Sequence, residues 1–189
     1  YSQGIEGAPS WAVAQREALC RIMAVIDYWV GIQNANGEFG GGYDDDCEMM
    51  RWWSVAACAA DDDRAREAIR RLADGIWSSG AVEKGYSAQV RDVEHGAELT
   101  SDTQPLMMGI EYGNPVYIER CMETMKCMRD VWTATNARNH LHFKSAWFSA
   151  TRCVERPPYA VDVPMNARAV QPGRWVCWYN RNPQLMNLL

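Results

Sequence analysis

The chain has 189 residues, 48% of them hydrophobic and 23% charged, which is enough for a substantial core and ordinary for a globular protein. Its net charge of −5 at pH 7 and its scattered basic residues argue against nucleic acid as the main partner. No apolar run approaches the ~20 residues a membrane-spanning helix needs.

Taken in chain order, helix signals dominate. Ser10 can cap a first helix running to about residue 30, with Trp11, Ala14, Ala18, Ile22, Val25 and Trp29 on its repeating apolar face. Residues 34–42 form a turn-rich loop. A second helix starts within residues 44–46 and runs to Ala60. Its apolar positions Met49, Trp52, Trp53, Ala56, Ala57 and Ala60 call for burial. A third starts at residues 61–63 and runs to about Trp77, with Ala65, Ala68, Ile69 and Leu72 inward and Arg64, Arg66, Glu67, Arg70 and Arg71 outward. Residues 78–100 are polar and break the pattern. Ser101 with Gln104 three positions on reads as a capping box for a helix ending at Gly113. Asn114 and Pro115 open another helix, which runs to about Trp132.

Residues 44–77 and 101–132 are thus rough copies, each an apolar helix followed by an amphipathic one, at a period of roughly 55 residues. The pattern defines a mainly α fold, a partial (α/α) toroid or helical solenoid. Beyond it, residues 133–182 form a long aromatic and proline-rich excursion, with extended segments at 140–153 and a short strand at 175–179. A final helix opens at residue 183. One domain covering residues 1–189 is expected, truncated at both ends: Tyr1 is not an initiator Met, and the last helix stops early.

Nine Trp and eight Tyr stand against three Phe. Such side chains join a flat apolar face to a polar handle and suit sugar rings, although a helical core accommodates most of them. The seven Cys form no CxxC pair and no regular framework. Buried free thiols are expected, with Cys20, Cys58 and Cys121 as small core residues, and this usage leans toward a reducing compartment.

Two stretches carry a resemblance. Gln33 to Gly40, of the form Gln-x-x-x-Gly-x-aromatic, resembles the turn between helices of α/α toroids. The run Gly40-Gly41-Gly42-Tyr43-Asp44-Asp45 with Glu48, then Arg51-Trp52-Trp53, together with Glu111 to Pro115 and Tyr117 to Arg120, resembles bacterial proteins of the six-hairpin glycosidase and polysaccharide-lyase type. The resemblance implies a toroid whose inner-helix ends and loops form a carbohydrate cleft, with a polysaccharide or oligosaccharide as partner. It also implies a periplasmic or extracellular setting if the full-length protein degrades glycans.

Candidate chemistry concentrates at residues 40–53. Asp45 and Glu48 lie one turn apart at a helix mouth and can work with Glu98 as the general acid and base of a glycoside hydrolase. Helix capping accounts for one or two of these acids. His95, in the equivalent place of the second copy, can transfer protons near neutral pH, with Glu98 or Asp102 as its partner carboxylate. Tyr43, Arg51, Trp52 and Trp53 are candidates for substrate contact, the tryptophans by stacking on sugar. In a lyase, His142 or Tyr159 would remove a proton while Arg51 or Asn139 binds the acid group. His140 shares a face with His142 if the segment is extended, and Arg168 is a further residue of suitable type. The acidic protein fits acidic substrates poorly, which favours the hydrolase. The non-enzymatic alternative is a helical-repeat module binding glycan or a protein. No resident cofactor is expected. Asp44, Asp45 and Glu48 also match a terpenoid-cyclase magnesium motif and could hold Mg²⁺ or Ca²⁺, but the second metal motif of that family is missing.

Overall fold

The computed structural model describes residues 6–161, 163 and 166–187, and these are mainly helical. Helix α1 (Ser10–Ile32) is capped by Pro9 rather than Ser10, with no side-chain cap. Its core face also differs from the expected one. Leu19, Met23, Ile26 and Val30 pack inward, whereas Trp11, Ala14, Ala18, Ile22 and Val25 are exposed, and of the expected set only Trp29 is partly packed. The two stripes are offset by one residue, or about 100°. Both are apolar, so periodicity could not choose between them; the neighbouring helices do.

The expected second helix is divided at Arg51 and Trp52 into α2 (Tyr43–Met50) and α3 (Trp53–Ala59). Helix α4 (Asp63–Ser78) forms as its pattern predicts. The Asp62 carboxylate accepts hydrogen bonds from the Arg64 and Ala65 amides, and Ala65, Ala68, Ile69 and Leu72 are buried. The loop between α1 and α2 is pinned onto α4: Gln33 Nε2 donates to the carbonyls of Gly37 and Ala68, each at 2.8 Å. Gly37 has a φ of 94°, and a Cβ there would lie 2.4 Å from the Arg71 carbonyl oxygen, so only glycine fits. Phe39 is buried, its ring 5.3 Å from that of Trp53.

Residues 78–100 hold more order than their polarity suggested. Strands β1 (Val82–Glu83) and β2 (Tyr86–Ser87) form an antiparallel hairpin, and β3 (Arg91–Asp92) leads straight into helix α5 (Val93–Ser101). The Asp92 carboxylate caps α5 by accepting from the Glu94 and His95 amides. Ser101 is therefore the last residue of a helix, and the expected capping box does not form. Thr103 precedes α6 (Gln104–Ile110) without a side-chain cap. Helix α7 (Pro115–Cys127) starts as predicted, with the Asn114 side chain accepting from the Val116 amide, and continues into a π-helical turn (Met128–Trp132).

The excursion then pairs β4 (Thr133–Thr135) with β5 (Leu141–Phe143), Ala134 opposite His142, and sends β6 (Trp147–Phe148) back to pair with β3. The chain returns to helix in α8 (Asn166–Ala169), α9 (Gln171–Asn180) and α10 (Pro183–Met186). Helix α9 occupies the place where a short strand was expected; its packing on α6 and α7 favours the helix.

Two apolar clusters form the interior. One is built around Ile26, Met50, Ile69, Leu72, Ile76 and Met107, the other around Tyr86, Met125, Trp132 and Phe148, and Leu185 packs against both. Trp132 stacks on Phe148 at 3.8 Å, and its indole N–H donates to the Ser145 carbonyl at 2.7 Å. The seven thiols are unpaired. Cys121 is buried as expected, Cys20 is half-buried, and Cys58 is exposed rather than in the core. Among the described residues, no helix is long and apolar enough to cross a membrane.

Candidate functional site

Helix α5 packs between α2 and α8. Its acidic residues Glu94 and Glu98, and Asp102 just beyond its end, recur every four positions and so share one face. Glu48 approaches this face from α2, Arg51 from the break just after it, and Arg168 from α8. The Arg168 guanidinium is the hub. Its Nη2 donates to Glu48 Oε1 at 2.8 Å and to Asp102 Oδ2, while Nη1 lies 3.4 Å from Glu98 Oε2 and 3.6 Å from Glu94 Oε1. Arg51 Nη1 supports the same carboxylates, 3.4 Å from Asp102 and 3.6 Å from Glu48. Four carboxylates thus meet two guanidiniums.

This imbalance is eased at Glu98. Burial lifts its pKa to about 7, and the charges of Glu48 and Asp44 add to the rise against the opposing pull of Arg168 and His95. The side chain is almost wholly buried, and Oε1 has no hydrogen-bond partner. Thr100 Oγ1, Ser101 Oγ, Arg51 Nε and Arg168 Nε are likewise buried without a hydrogen-bond partner. Burial works against the charge on Arg168, but the Asp102 hydrogen bond and the surrounding carboxylates outweigh it and hold the group firmly protonated. Cys47 lies close by; burial, reinforced by Asp102 and Glu98, pushes its thiol far up, so it is not a nucleophile.

Two clefts flank the cluster. The smaller, about 250 Å³, is lined by Tyr43, Asp44, Gln89, Arg91, His95 and Glu98. The larger, about 560 Å³, is lined by Glu48, Arg51, Trp52, Asp102, Arg168 and Trp175. The Glu98–Arg168 contact joins their linings. Trp52 is 73% exposed, with the Arg51 guanidinium 5.0 Å from its ring, and offers a flat face to the larger cleft. Clefts between α1 and the start of α4, and between α7 and α10, hold no part of the cluster.

The sequence candidates are therefore sorted by position. Glu48, Glu98, Arg51 and Trp52 come together, with Tyr43 and His95 in the adjoining small cleft. His95 Nδ1 is 2.9 Å from Asp92, whose hydrogen bond raises the imidazole pKa. Asp45 is exposed on α2 and lines neither cleft. Asp46 is buried and accepts from the Phe39 amide at 2.6 Å and the Gly41 amide at 3.1 Å, which closes the glycine loop. Trp53 belongs to the core, so it cannot stack on a ligand. Asn139, with a φ of 62°, and His140 lie at the β4–β5 turn. His142 Nδ1 is 2.8 Å from the Phe143 carbonyl, and Tyr159 packs on Trp147 at 5.1 Å; none of these four lines either cleft.

The acids of residues 44–48 diverge: Asp44 toward Arg91 at 3.8 Å, Asp46 inward, Glu48 toward Arg168. They offer no common point for Mg²⁺ or Ca²⁺. Among the described residues, metal-type donors gather at Asp92, Glu94 and His95, within 4.8 Å of one another. Asp92 is there the cap of α5 and the partner of His95, at the positive end of a helix, which disfavours a cation.

Arg168 was expected only as a residue type suited to a uronate, not as the hub of a carboxylate cluster, and Glu94 and the lining residues Gln89, Arg91 and Trp175 were not among the expected site residues. The four-residue spacing of Glu94, Glu98 and Asp102 was present in the sequence and becomes a signal once residues 93–101 are read as helix. No protein-family model, curated protein or solved structure matches the chain.

Proposed function

We propose that the protein is a carbohydrate-active enzyme of the glycoside hydrolase type, built on part of an (α/α) toroid. A carboxyl group with a pKa near neutrality, held beside a second carboxylate by one guanidinium, carries this reading. Glu98 has the properties of a general acid: it keeps its proton at pH values where an ordinary glutamate has lost it, and it can deliver that proton to a glycosidic oxygen. Glu48, tied to Arg168 and Arg51, serves as the base or nucleophile. Trp52 and Trp175 supply the flat apolar surface on which a sugar ring stacks, and the small cleft beside Glu98 takes the neighbouring ring. Arg168 is a positioning residue, since it orients both carboxyls.

The lyase version fits less well. Arg51 and Arg168, the cations suited to a uronate, are already committed to the protein's own carboxylates, and His142 and Tyr159 lie outside both clefts. The non-enzymatic reading draws on the same exposed Trp52, which would bind glycan without cleaving it. A panel of neutral and acidic polysaccharides, followed by new reducing ends and by ultraviolet absorbance of unsaturated products, separates the three. Hydrolysis that falls by at least about 100-fold in Glu98→Gln, with binding retained, is the expected result. Unsaturated products would establish a lyase. Binding without any cleavage, equal in wild type and Glu98→Gln, would establish the binding module.

A further inference from the structure

Glu98 is a buried acid that protons have to reach. Its side chain is 4% exposed, Oε2 faces the Arg168 guanidinium at 3.4 Å, and Oε1 has no hydrogen-bond partner. The proton it keeps at neutral pH therefore sits on Oε1. Glu98 lines the small cleft and not the large one, so that proton comes and goes through the small cleft. The cleft lining offers few groups for the traffic. Tyr43 donates its hydroxyl hydrogen to the Asn36 carbonyl at 3.1 Å, and burial, with Glu38, raises its pKa. Arg91 and Asp44 lie 3.8 Å apart and pair with each other. His95 is different. It stands three positions before Glu98 on α5, which puts the two Cβ atoms about 5–6 Å apart, and its side chain is 47% exposed. Nδ1 donates to the Asp92 carboxylate at 2.9 Å, which leaves Nε2 as the ring nitrogen that can exchange protons.

We infer that His95, held by Asp92, is the proton carrier of Glu98. The imidazolium passes its Nε2 proton to the Glu98 carboxylate, directly or through one water in the cleft. That leaves a neutral imidazole, whose Nε2 then takes a proton from solvent, while the Nδ1 proton stays on the bond to Asp92 throughout. The reverse sequence discharges the carboxyl. His95 acts through Glu98 and touches no substrate. The charges that surround the two groups are Asp44 and Glu48 from α2, Arg168 from α8, Arg91 and Asp92 from β3, and Glu94 and Asp102 along α5. Their net effect suits the exchange. Burial lifts Glu98 to about 7, and the Asp92 hydrogen bond raises His95 against the effect of burial, so both groups gain and lose protons near neutrality and neither direction is strongly uphill. The glycan reading enters only as the reason a fresh proton is needed, since delivery to a glycosidic oxygen empties the carboxyl at each turnover. The test needs no substrate.

Carbon-13 relaxation dispersion of the Glu98 carboxyl near pH 7 reads its protonation exchange on the microsecond to millisecond scale. His95→Ala should slow that exchange by about 100-fold, and added imidazole, entering the space the side chain leaves, should restore it. His140→Ala, at the β4–β5 turn, should exchange like wild type, and wild type should scarcely respond to imidazole. Asp92→Asn, which keeps an oxygen for the α5 cap, should lower the His95 pKa and slow the exchange without abolishing it. Equal exchange in wild type and His95→Ala would overturn the inference. A loss in His95→Ala that imidazole does not restore would overturn it too, because it marks a structural role. If no polysaccharide is cleaved and the imidazole-rescued exchange persists, the glycan reading fails and the proton carrier stands; hydrolysis alongside exchange that ignores His95 is the converse.

Discussion

Glu98 is a carboxyl group whose proton the fold retains, and this links the site to stability. Its pKa is about 7 in the folded chain against 4.5 for the unperturbed group. Below 4.5 it is protonated in both states and its burial carries no charge penalty. Between those values the unfolded chain gives up the proton and the folded chain keeps it, so stability falls as pH rises toward 7 and levels off above it. At about 1.4 kcal/mol per unit, the loss is roughly 3 kcal/mol. Denaturant unfolding across this range should show that fall in wild type and its absence in Glu98→Gln. A parallel pH dependence in the two proteins would place the proton elsewhere. The same proton sets the direction of any activity profile: a general acid is lost as pH rises through about 7.

Single elements show where local rules suffice. Helices α4, α7 and α10 begin at Asp62, Asn114 and Asn182, each accepting amide hydrogens in the first turn, and each start was legible because a short polar side chain followed by a helix former has little else to do there. Asp62→Ala should cost about 1 kcal/mol in thermal or denaturant unfolding, with the α4 amides at Arg64 and Ala65 losing hydrogen-exchange protection first. Helix α5 was not legible. Its first turn is polar, its cap Asp92 also ends a strand, and its buried Gly96, Thr100 and Ser101 are not residues a helix pattern selects. It exists because β3 and β6 fix its start and α2 and α8 cover its sides. The break at Arg51 and Trp52 was hidden for the opposite reason: the apolar pattern runs through it without a glycine or proline.

For the molecule as a whole, chain order and spatial order part company at Arg168. Its partners Glu48, Glu94, Glu98 and Asp102 come from the first 102 residues, and strands β4, β5 and β6 intervene before the chain supplies Arg168. No local pattern could announce this, because a lone arginine on a four-residue helix has no period. Arg168→Met should destabilise the protein by about 3–5 kcal/mol, the usual result of stranding buried carboxylates. It should also raise the Glu98 pKa further, because the opposing positive charge is gone; carboxyl titration followed by NMR would read the shift. An unchanged Glu98 pKa would mean that the guanidinium does not act on it. The order of synthesis adds a consequence. A ribosome delivers residue 168 long after Asp102, so a nascent chain, or one ended by a stop codon before residue 168, lacks the guanidinium that joins Glu48, Glu94, Glu98 and Asp102. The cluster between the clefts is complete only when the late segment arrives, which makes its geometry a record of how far translation has gone.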